Sequence, residues 1–174
     1  MDDLQFNPDI HHSKFEFSLA ETGKLLGFHS QEPEKEFGNG PDVLWALTDN
    51  HFLILEAKSR AIHDEITRDN IGQLLQSGEW FKKTYGNSAN YNLVTLQSPS
   101  SKGWNVNPSE NTRVIDEEIL LLLKDNLKRF VEGIINFGFV AASNQEITKL
   151  LVLHNLTPST FRQVYLKKIK AKKG

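Results

Sequence analysis

The sequence predicts an α/β domain with a small mixed β-sheet flanked by helices and with extra helices at its C-terminal end. Three observations predict this class. Amphipathic segments with a helical period alternate with short apolar segments typical of strands. Gly, Pro, Asn and Asp residues lie between these segments, as they do in turns. The 174 residues, 39% of them hydrophobic, suit one domain with a sizeable core.

The first predicted element is a helix that begins near Ser13 or Lys14 and ends near Gly27. Glycine is the preferred residue just beyond the C-terminus of a helix. The next segment, residues 29–40, is polar and contains one proline and two glycines. We therefore predict that it forms a loop.

A β-hairpin is predicted next, with strands at residues 42–47 and His51–Ala57 joined by a turn at residues 48–50. The turn sequence Thr-Asp-Asn is typical of a hairpin connection. Residues 52–55 of the second strand, Phe-Leu-Ile-Leu, form a continuous apolar run. This strand is therefore predicted to be covered on both faces.

The middle of the chain is predicted to form a long helix, a strand, a loop and a short strand. The helix covers residues 64–85 and is closed by Gly86. Residues 91–96 have the composition of a strand, whereas residues 98–111 are rich in Ser, Pro, Asn and Gly and predict a loop. Residues 113–115 are the short strand.

Three helices are predicted in the last third of the chain. The first, residues 116–137, is strongly amphipathic and has acidic residues at its positive end. Two shorter helices cover residues 144–154 and about 159–170, with Pro158 between them. This pair has two interpretations: helices that cap the core, or a helix-turn-helix with the basic tail 167–173 along DNA. Capping is favoured because short helix pairs are common.

Composition excludes several classes of site and location. The absence of cysteine excludes a disulfide framework, a zinc–thiolate site and a thiol nucleophile, and the histidines lack metal-ligand spacing. A net charge of -2 argues against bulk attraction to nucleic acid but allows a local basic face. No apolar leader is visible, and the longest apolar run, residues 119–123, is too short to cross a bilayer. We therefore expect a cytoplasmic protein with no membrane partner.

Three polar residues stand at the ends of the hairpin strands. Asp42 follows Pro41 and opens the first strand, whereas Glu56 and Lys58 end the second. Antiparallel pairing brings Asp42 and Glu56 to the same end of the sheet. Because Glu56 and Lys58 are two residues apart, their side chains project to the same face of an extended chain.

Two carboxylates and an ammonium group at the end of a buried strand are unfavourable without a partner. Mg²⁺ is a hard cation that binds carboxylate, carbonyl and water oxygens, so we predict Asp42 and Glu56 as ligands and the Ala57 carbonyl as a further one. Lys58 would orient or help to deprotonate the attacking water. A purely structural ion-pair network is less favoured, because such burial adds little net stability.

Pro41-Asp42, followed beyond a hairpin by Glu56-x-Lys58, resembles the PD-(D/E)xK nuclease superfamily. The chain is similar in particular to restriction-endonuclease-like domains attached to bacterial helicases. In those domains a glutamate-bearing helix precedes a Gly-Pro-Asp strand and a Gln-Leu helix follows the lysine. The similarity covers roughly residues 15–130. It implies a restriction-endonuclease-like core and metal-dependent phosphodiester hydrolysis, with Asp42 and Glu56 as metal ligands and Lys58 as the catalytic lysine.

The family often adds a glutamate from the first helix, and this sequence offers Glu16 and Glu21. At about 100° per residue, Glu16 borders the apolar face of the helix, whereas Glu21 points away from it. A ligand must lie at the edge of the buried face, so Glu16 is favoured. A solvated helix residue is the alternative for either glutamate.

Gln73 on the long helix is the next candidate, because exonuclease-like branches of the family use a glutamine there beside the site. The aromatic residue that follows is commonly tyrosine, whereas Trp80 is the nearest here. An exposed glutamine is the alternative interpretation. Other candidates for contact with nucleic acid, for which surface solvation or packing is favoured, are Arg60, Lys82, Lys83, Lys102 and Trp104.

We therefore expect a nuclease core at residues 1–140 and a helical extension at residues 141–174 packed on it. The expected function is that of a Mg²⁺-dependent deoxyribonuclease, with Mn²⁺ as a substitute. DNA is the expected partner. The resemblance adds a helicase or defence-system partner, and cleavage of both strands of a duplex would imply a homodimer. The alternative is a non-catalytic DNA-binding or assembly module that retains the nuclease fold.

Overall fold

The computed structural model describes residues 2–59, 65–98, 101–103, 105–137 and 142–171. Most of these residues lie in helices or strands. In chain order they are α1 (His12–Leu25), β1 (His29–Gln31), α2 (Pro33–Phe37), β2 (Val43–Thr48), β3 (His51–Ala57), α3 (Arg68–Tyr85), β4 (Asn90–Leu96), β5 (Ser101–Lys102), β6 (Thr112–Ile115), α4 (Glu117–Asn136), α5 (Asn144–Leu153), α6 (Pro158–Val164) and β7 (Lys170–Ala171).

Five of the strands form one mixed sheet in the order β1-β2-β3-β4-β6. The pairs β1–β2 and β2–β3 are antiparallel, whereas β3–β4 and β4–β6 are parallel. A separate two-stranded sheet joins β5 to β7. The predicted class, a mixed sheet flanked by helices, is therefore confirmed.

Alternation along β3 explains why this strand is a continuous apolar run. Leu53 and Leu55 point into the main core, which α1, α4, α5 and α6 cover, and we name this side of the sheet the α4 face. Ile54 points the opposite way, against Leu74 and Phe81 of α3, and we name this side the α3 face. A strand with helices on both sides has few polar positions.

The hairpin and the long helices form close to their predicted positions. The helix α3 begins at Arg68, where Thr67 and Asn70 cap each other, and it ends before Gly86 as predicted. Residue 64, where we predicted its start, lies outside the described residues. The helix α4 begins after Asp116, whose carboxylate accepts the N–H of Ile119 at 3.0 Å. Such capping satisfies backbone donors that the helix leaves unpaired.

The predicted loop at residues 29–40 was wrong, because it contains β1 and α2. The polar strand β1 exists only through pairing with β2, with Ser30 opposite Trp45. The short helix α2 begins with Pro33 and is followed directly by Gly38, which has a φ of 74°. Proline at a helix start and left-handed glycine at its end are signals of a short helix. The predicted loop at residues 98–111 likewise contains β5, the strand of Ser101–Lys102.

The C-terminal segment packs on the same core as the rest of the chain. Leu150, Phe161 and Tyr165 belong to the apolar cluster of the α4 face. The last helix was predicted to extend to about residue 170, but it begins at Pro158 itself and ends at Val164. It ends because Lys167 instead exchanges backbone hydrogen bonds with Val114, at 2.9 and 3.1 Å.

The division into residues 1–140 and 141–174 stays a prediction. The part of the basic tail beyond residue 171 lies outside the described residues. None of the helices in the described part of the chain has the length and apolar character that a membrane span needs.

Candidate functional site

The end of the hairpin brings the three polar candidates onto the α3 face. Val43 pairs with Leu55, so one further step along the antiparallel register places Asp42 opposite Glu56. Glu56 is two residues beyond Ile54, which contacts α3, and Lys58 follows after another two. Because side chains alternate along a strand, Asp42, Glu56 and Lys58 share one face and one end of the sheet.

Short hydrogen bonds fix both carboxylates. Asp42 Oδ2 accepts the backbone N–H of Ala57 at 2.6 Å. Glu56 Oε1 accepts the hydroxyl of Ser77 at 2.6 Å, and Glu56 Oε2 lies 3.3 Å from the Lys58 ammonium. Glu56 is 6% exposed. The hairpin therefore supplies the charged groups, and α3 supplies the hydroxyl that holds one of them.

The electrostatics of the site are dominated by two carboxylates in a confined space. Burial and the neighbouring charge of Glu56 raise the pKa of Asp42 to about 8. The Ala57 N–H and the Lys58 ammonium act in the opposite direction but do not compensate. The two negative charges therefore destabilise each other, and a cation bound between them would reduce this repulsion.

The two glutamates of α1 lie in different environments. Glu16 is half-buried, and burial is the main cause that raises its pKa, with the charge of Glu34 adding to it and that of His12 opposing it. Its charge also raises the pKa of Asp42. Glu21 is exposed and forms a surface ion pair with Lys24 at 2.7 Å. Glu16 therefore lies within electrostatic reach of Asp42 but does not line the cavity described below, and the choice of Glu16 over Glu21 as a ligand stays a prediction.

A cavity of about 400 Å³ opens above these groups. Asp42, Glu56 and Lys58 line its base, and Lys58 is the only cation among the described residues around it. The opposite walls come from the segment before β2 and from α3, and they consist of Glu34, Gly38, Asn39, Gly40, Gln73, Gln76, Ser77 and Trp80. Gln73 lines the cavity and is also exposed, and its catalytic role stays a prediction.

The wall before β2 is held in place by α3. The indole N–H of Trp80 donates to Asn39 Oδ1 at 2.5 Å. Gly40 has a φ of 108°, and a Cβ atom there would lie 2.9 Å from both Pro33 and the Trp80 ring. Only glycine fits such a close approach in this backbone conformation. The chain that leads into Asp42 is thereby fixed against Trp80.

Sequence reasoning did not assign several residues that line the cavity, among them Ser77, Glu34 and Asn39. Ser77 lies on the same helical stripe as Gln73 and Trp80, so its spacing carried a signal, but its bond to Glu56 depends on how α3 docks. Glu34 and Asn39 lie in the segment predicted as a loop, and no pattern in the sequence marked them.

The basic residues proposed for phosphate contact are mostly engaged elsewhere. Lys82 pairs with Glu79 on the surface of α3 at 2.6 Å. Lys102 donates to the carbonyl of Val106. Lys83 is exposed on α3 and does not line the cavity. Arg60 and Trp104 lie outside the described residues.

The described residues contain no group of three or more His, Asp or Glu side chains arranged to hold a metal ion. Glu16, Asp42 and Glu56 therefore do not converge as a preformed set of three. Mg²⁺ commonly uses one or two protein carboxylates and keeps several waters, so a pair of carboxylates meets its requirements. The pair of Asp42 and Glu56 fits a divalent cation, and its role as a metal site stays a prediction.

The Ala57 carbonyl, the predicted third ligand, receives no hydrogen bond from the residue opposite it, which precedes β2. Extending the β2–β3 register by two residues places Pro41 opposite Ala57. Proline has no N–H, so the ladder provides no donor from Pro41 to this carbonyl. The Pro41 carbonyl accepts instead from the Glu34 N–H at 3.2 Å. A proline before Asp42 thus leaves a backbone oxygen unpaired by its partner strand beside the two carboxylates.

Comparison with known protein families, with curated proteins and with solved structures finds no match to this chain.

Proposed function

We propose that this chain is a Mg²⁺-dependent nuclease that hydrolyses phosphodiester bonds in DNA, with Mn²⁺ as an effective substitute. One observation carries the proposal. The carboxylates of Asp42 and Glu56 are held side by side, with the Lys58 ammonium, at the base of a polar cavity. This arrangement is unfavourable by itself, because burial and Glu56 raise the pKa of Asp42 to about 8.

In the proposed site, Asp42, Glu56 and the Ala57 carbonyl would hold the cation, and Glu16 would contribute from the side of α1. A bound divalent cation lowers the pKa of a water ligand and stabilises the charge that develops on a phosphate. The bond from Ser77 fixes one oxygen of Glu56, which leaves the other for Lys58 or for a ligand. The protein groups are therefore positioned before substrate binds, as electrostatic catalysis requires.

Lys58 would act on the attacking water and on the phosphate. Its ammonium is held 3.3 Å from Glu56 and lines the cavity, so it can orient a water and offset negative charge on a phosphate oxygen. The Gln73 amide, on the α3 wall, can donate to the same phosphate or accept from the water. Gln73 reaches the cavity from α3, and Lys58 reaches it from the position directly after β3.

We further propose that the mixed sheet and its helices are a restriction-endonuclease-like core. The support is the order helix, hairpin, helix, strand together with the position of Asp42, Glu56 and Lys58 at one end of the hairpin. A helicase or defence-system partner and a homodimer belong to this proposal through the resemblance alone.

One observation favours the alternative, a DNA-binding or assembly module without activity. Among the described residues, three acidic side chains do not gather into a metal-binding group. A binding module would retain DNA affinity in EDTA and would not depend on Lys58 for chemistry. The two functions therefore differ in a measurable way.

The test is cleavage of supercoiled plasmid and of single-stranded DNA in Mg²⁺, in Mn²⁺ and in EDTA. We expect cleavage in both metals, none in EDTA, and a loss of about 10²–10⁴-fold in Lys58→Ala. Lys149→Ala is the matched control, because Lys149 is exposed on α5, far from the cavity in the fold. Equal activity of wild type and Lys58→Ala would overturn the proposal. DNA binding without cleavage in either metal would favour the alternative.

A further inference from the structure

Two wholly buried side chains beside the candidate site contain polar atoms without a protein partner. Among the described residues, five side chains contain such an atom: Ser30, Trp45, Ser59, Thr95 and Gln97. Two of these, Thr95 and Gln97, lie at the carboxyl end of β4. In open α/β sheets, ligands bind at the carboxyl ends of the parallel strands.

Thr95 and Gln97 lie next to Glu56 and Lys58 across the parallel ladder. Thr95 pairs with Glu56, and the Lys58 N–H donates to the Leu96 carbonyl at 2.7 Å, so one further step places Gln97 opposite Lys58. Leu93, two residues before Thr95, contacts α3. Alternation therefore puts the side chains of Thr95 and Gln97 on the α3 face, the same face as the candidate site.

Both side chains are completely enclosed. Thr95 and Gln97 each have 0% of their surface exposed. On the β6 side, Thr95 pairs with Val114, which belongs to a small apolar cluster with Ile66 and Ile71. Polar groups of the site thus lie on one side of Thr95 and apolar side chains on the other.

The unsatisfied hydrogen-bonding capacity at this point is large. The Gln97 amide offers two donor hydrogens and an acceptor oxygen, and neither its Nε2 nor its Oε1 atom has a protein partner. Burying an amide without hydrogen bonds is strongly unfavourable. Buried water solves this problem where two to four polar groups surround a site. In the register of the two strands Lys58 lies opposite Gln97, and Thr95 lies two residues before Gln97, so Thr95 Oγ1 and the Lys58 ammonium are candidate partners for such a water.

We propose that Thr95 and Gln97 hold buried water beside Lys58 and that, through this water, both are positioning residues for the lysine. Complete burial favours water over a substrate group. A protein–protein polar contact longer than a hydrogen bond is commonly bridged in this way. The inference rests on the proposed function only where it links the position of Lys58 to cleavage.

The first part of the test needs no nuclease activity. In metal-free wild-type protein, NOEs between the Gln97 side-chain amide and slowly exchanging water are expected, as is ordered water beside Gln97 in a high-resolution crystal structure. A Gln97 amide without water would overturn the proposal whether or not the protein cleaves DNA.

The second part uses Gln97→Met and Thr95→Val, which keep side-chain size but remove hydrogen-bonding groups. We expect the order parameter of the Lys58 Cε atom, measured by ¹³C relaxation in EDTA, to fall in both variants. Ser30→Ala is the matched control, because Ser30 also has a buried unpaired hydroxyl but lies on β1. Unchanged Lys58 order in two folded variants would overturn the positioning role.

The third part connects the water to the proposed reaction. Gln97→Met should lower kcat by about 10–100-fold and leave KM unchanged, as is usual for groups that orient a catalytic residue. A lower Lys58 order parameter together with unchanged kcat would overturn the catalytic link. If the wild type binds water at Gln97 but does not cleave DNA, the proposed function fails and the structural part of this inference stands.

Discussion

The two faces of the five-stranded sheet use the same strands but are covered in different ways. On the α4 face, side chains such as Trp45, Leu55 and Leu123 are wholly buried in one large apolar cluster. On the α3 face, a smaller cluster around Ile54 and Phe81 occupies only part of the surface. Polar groups that line a cavity occupy the rest.

Under the proposed function, this difference would separate the residues that stabilise the fold from those that act in the reaction. The α4 face buries the larger apolar area and therefore contributes most of the hydrophobic free energy of folding. The α3 face contains two confined carboxylates, together with the Gln97 amide and the Thr95 hydroxyl, which have no protein hydrogen-bond partner. All of these groups are unfavourable in the protein without a ligand. Functional sites commonly retain such destabilising groups while the rest of the fold compensates. We therefore expect substitutions at the polar groups of the α3 face to lower cleavage without lowering stability. Substitutions in the α4 face should lower stability without lowering cleavage per folded molecule.

The largest expected effect is on the α3 face. Glu56→Gln keeps the shape of the side chain and its acceptor for Ser77 but removes the charge. We expect cleavage to fall by about a thousandfold, while the melting temperature does not fall. Initial rates of plasmid nicking and thermal denaturation in EDTA measure both quantities.

The matched control for this variant is Glu79→Gln, since Glu79 is an exposed residue of the same helix that contributes Ser77. Cleavage in Glu56→Gln equal to that in Glu79→Gln would contradict the assignment of chemistry to the α3 face.

The second effect is on the α4 face. Leu123 is fully buried in the main cluster, so Leu123→Ala should lower the free energy of unfolding by about 3 kcal/mol. Cleavage per folded molecule should stay within about twofold of wild type. Urea unfolding and rates measured well below the midpoint test both expectations. Leu121→Ala on the same helix, where Leu121 is 58% exposed, should change stability by less than about 0.5 kcal/mol.

The third effect is a stabilisation that depends on pH. Because burial and Glu56 raise the pKa of Asp42 from 3.8 to about 8, the folded protein binds a proton there more tightly than the unfolded chain. This contribution to stability is fully present below pH 3.8 and is lost as the pH rises through about 8.

Asp42→Asn is neutral at every pH and keeps an acceptor for the Ala57 N–H. It should therefore stabilise the metal-free protein by on the order of 2 kcal/mol at pH 8, and by much less at pH 5. Urea unfolding in EDTA at the two pH values measures the difference. Asp125→Asn on the surface of α4 is the control. If Asp42→Asn were less stable than wild type at pH 8, the claim that the buried charge of Asp42 destabilises the metal-free protein would be contradicted.

The smallest expected effect concerns the two glutamates of α1. Glu16→Gln should lower cleavage by about tenfold, because the charge of Glu16 acts on Asp42. Glu21→Gln should change it by less than about twofold, since Glu21 forms only an exposed pair with Lys24. Equal rates in the two variants would remove Glu16 from the site.

The sequence allowed prediction of features that depend on local period and end signals. The hairpin, the closing residue Gly86 and the shared face of Glu56 and Lys58 all follow from alternation along a strand or from turn residues. The exposed position of Glu21 followed from the helical period, and the role of Glu16 as a ligand stays a prediction. These features need no knowledge of which elements pack together.

Features that arise from tertiary pairing could not be predicted in the same way. The strand β1 is polar and forms only against Trp45 and its neighbours in β2. The hydrogen bond from Ser77 to Glu56 needs the docked position of α3. Thr95 and Gln97 carried no pattern, because their importance is that they are buried without partners. The short helix α2, by contrast, had an overlooked signal: Pro33 at its start and Gly38 directly after its end.

The hydrogen bond between Asp42 and the Ala57 amide has a consequence for measurement. At this position of the ladder a carboxylate, rather than a strand carbonyl, accepts the amide proton. Any ligand that draws the Asp42 carboxylate away would unprotect that proton, whereas a ligand that holds the carboxylate still would protect it. Deuterium uptake at the Ala57 amide therefore measures, without a substrate, whether a ligand in the cavity displaces the Asp42 carboxylate or holds it in place.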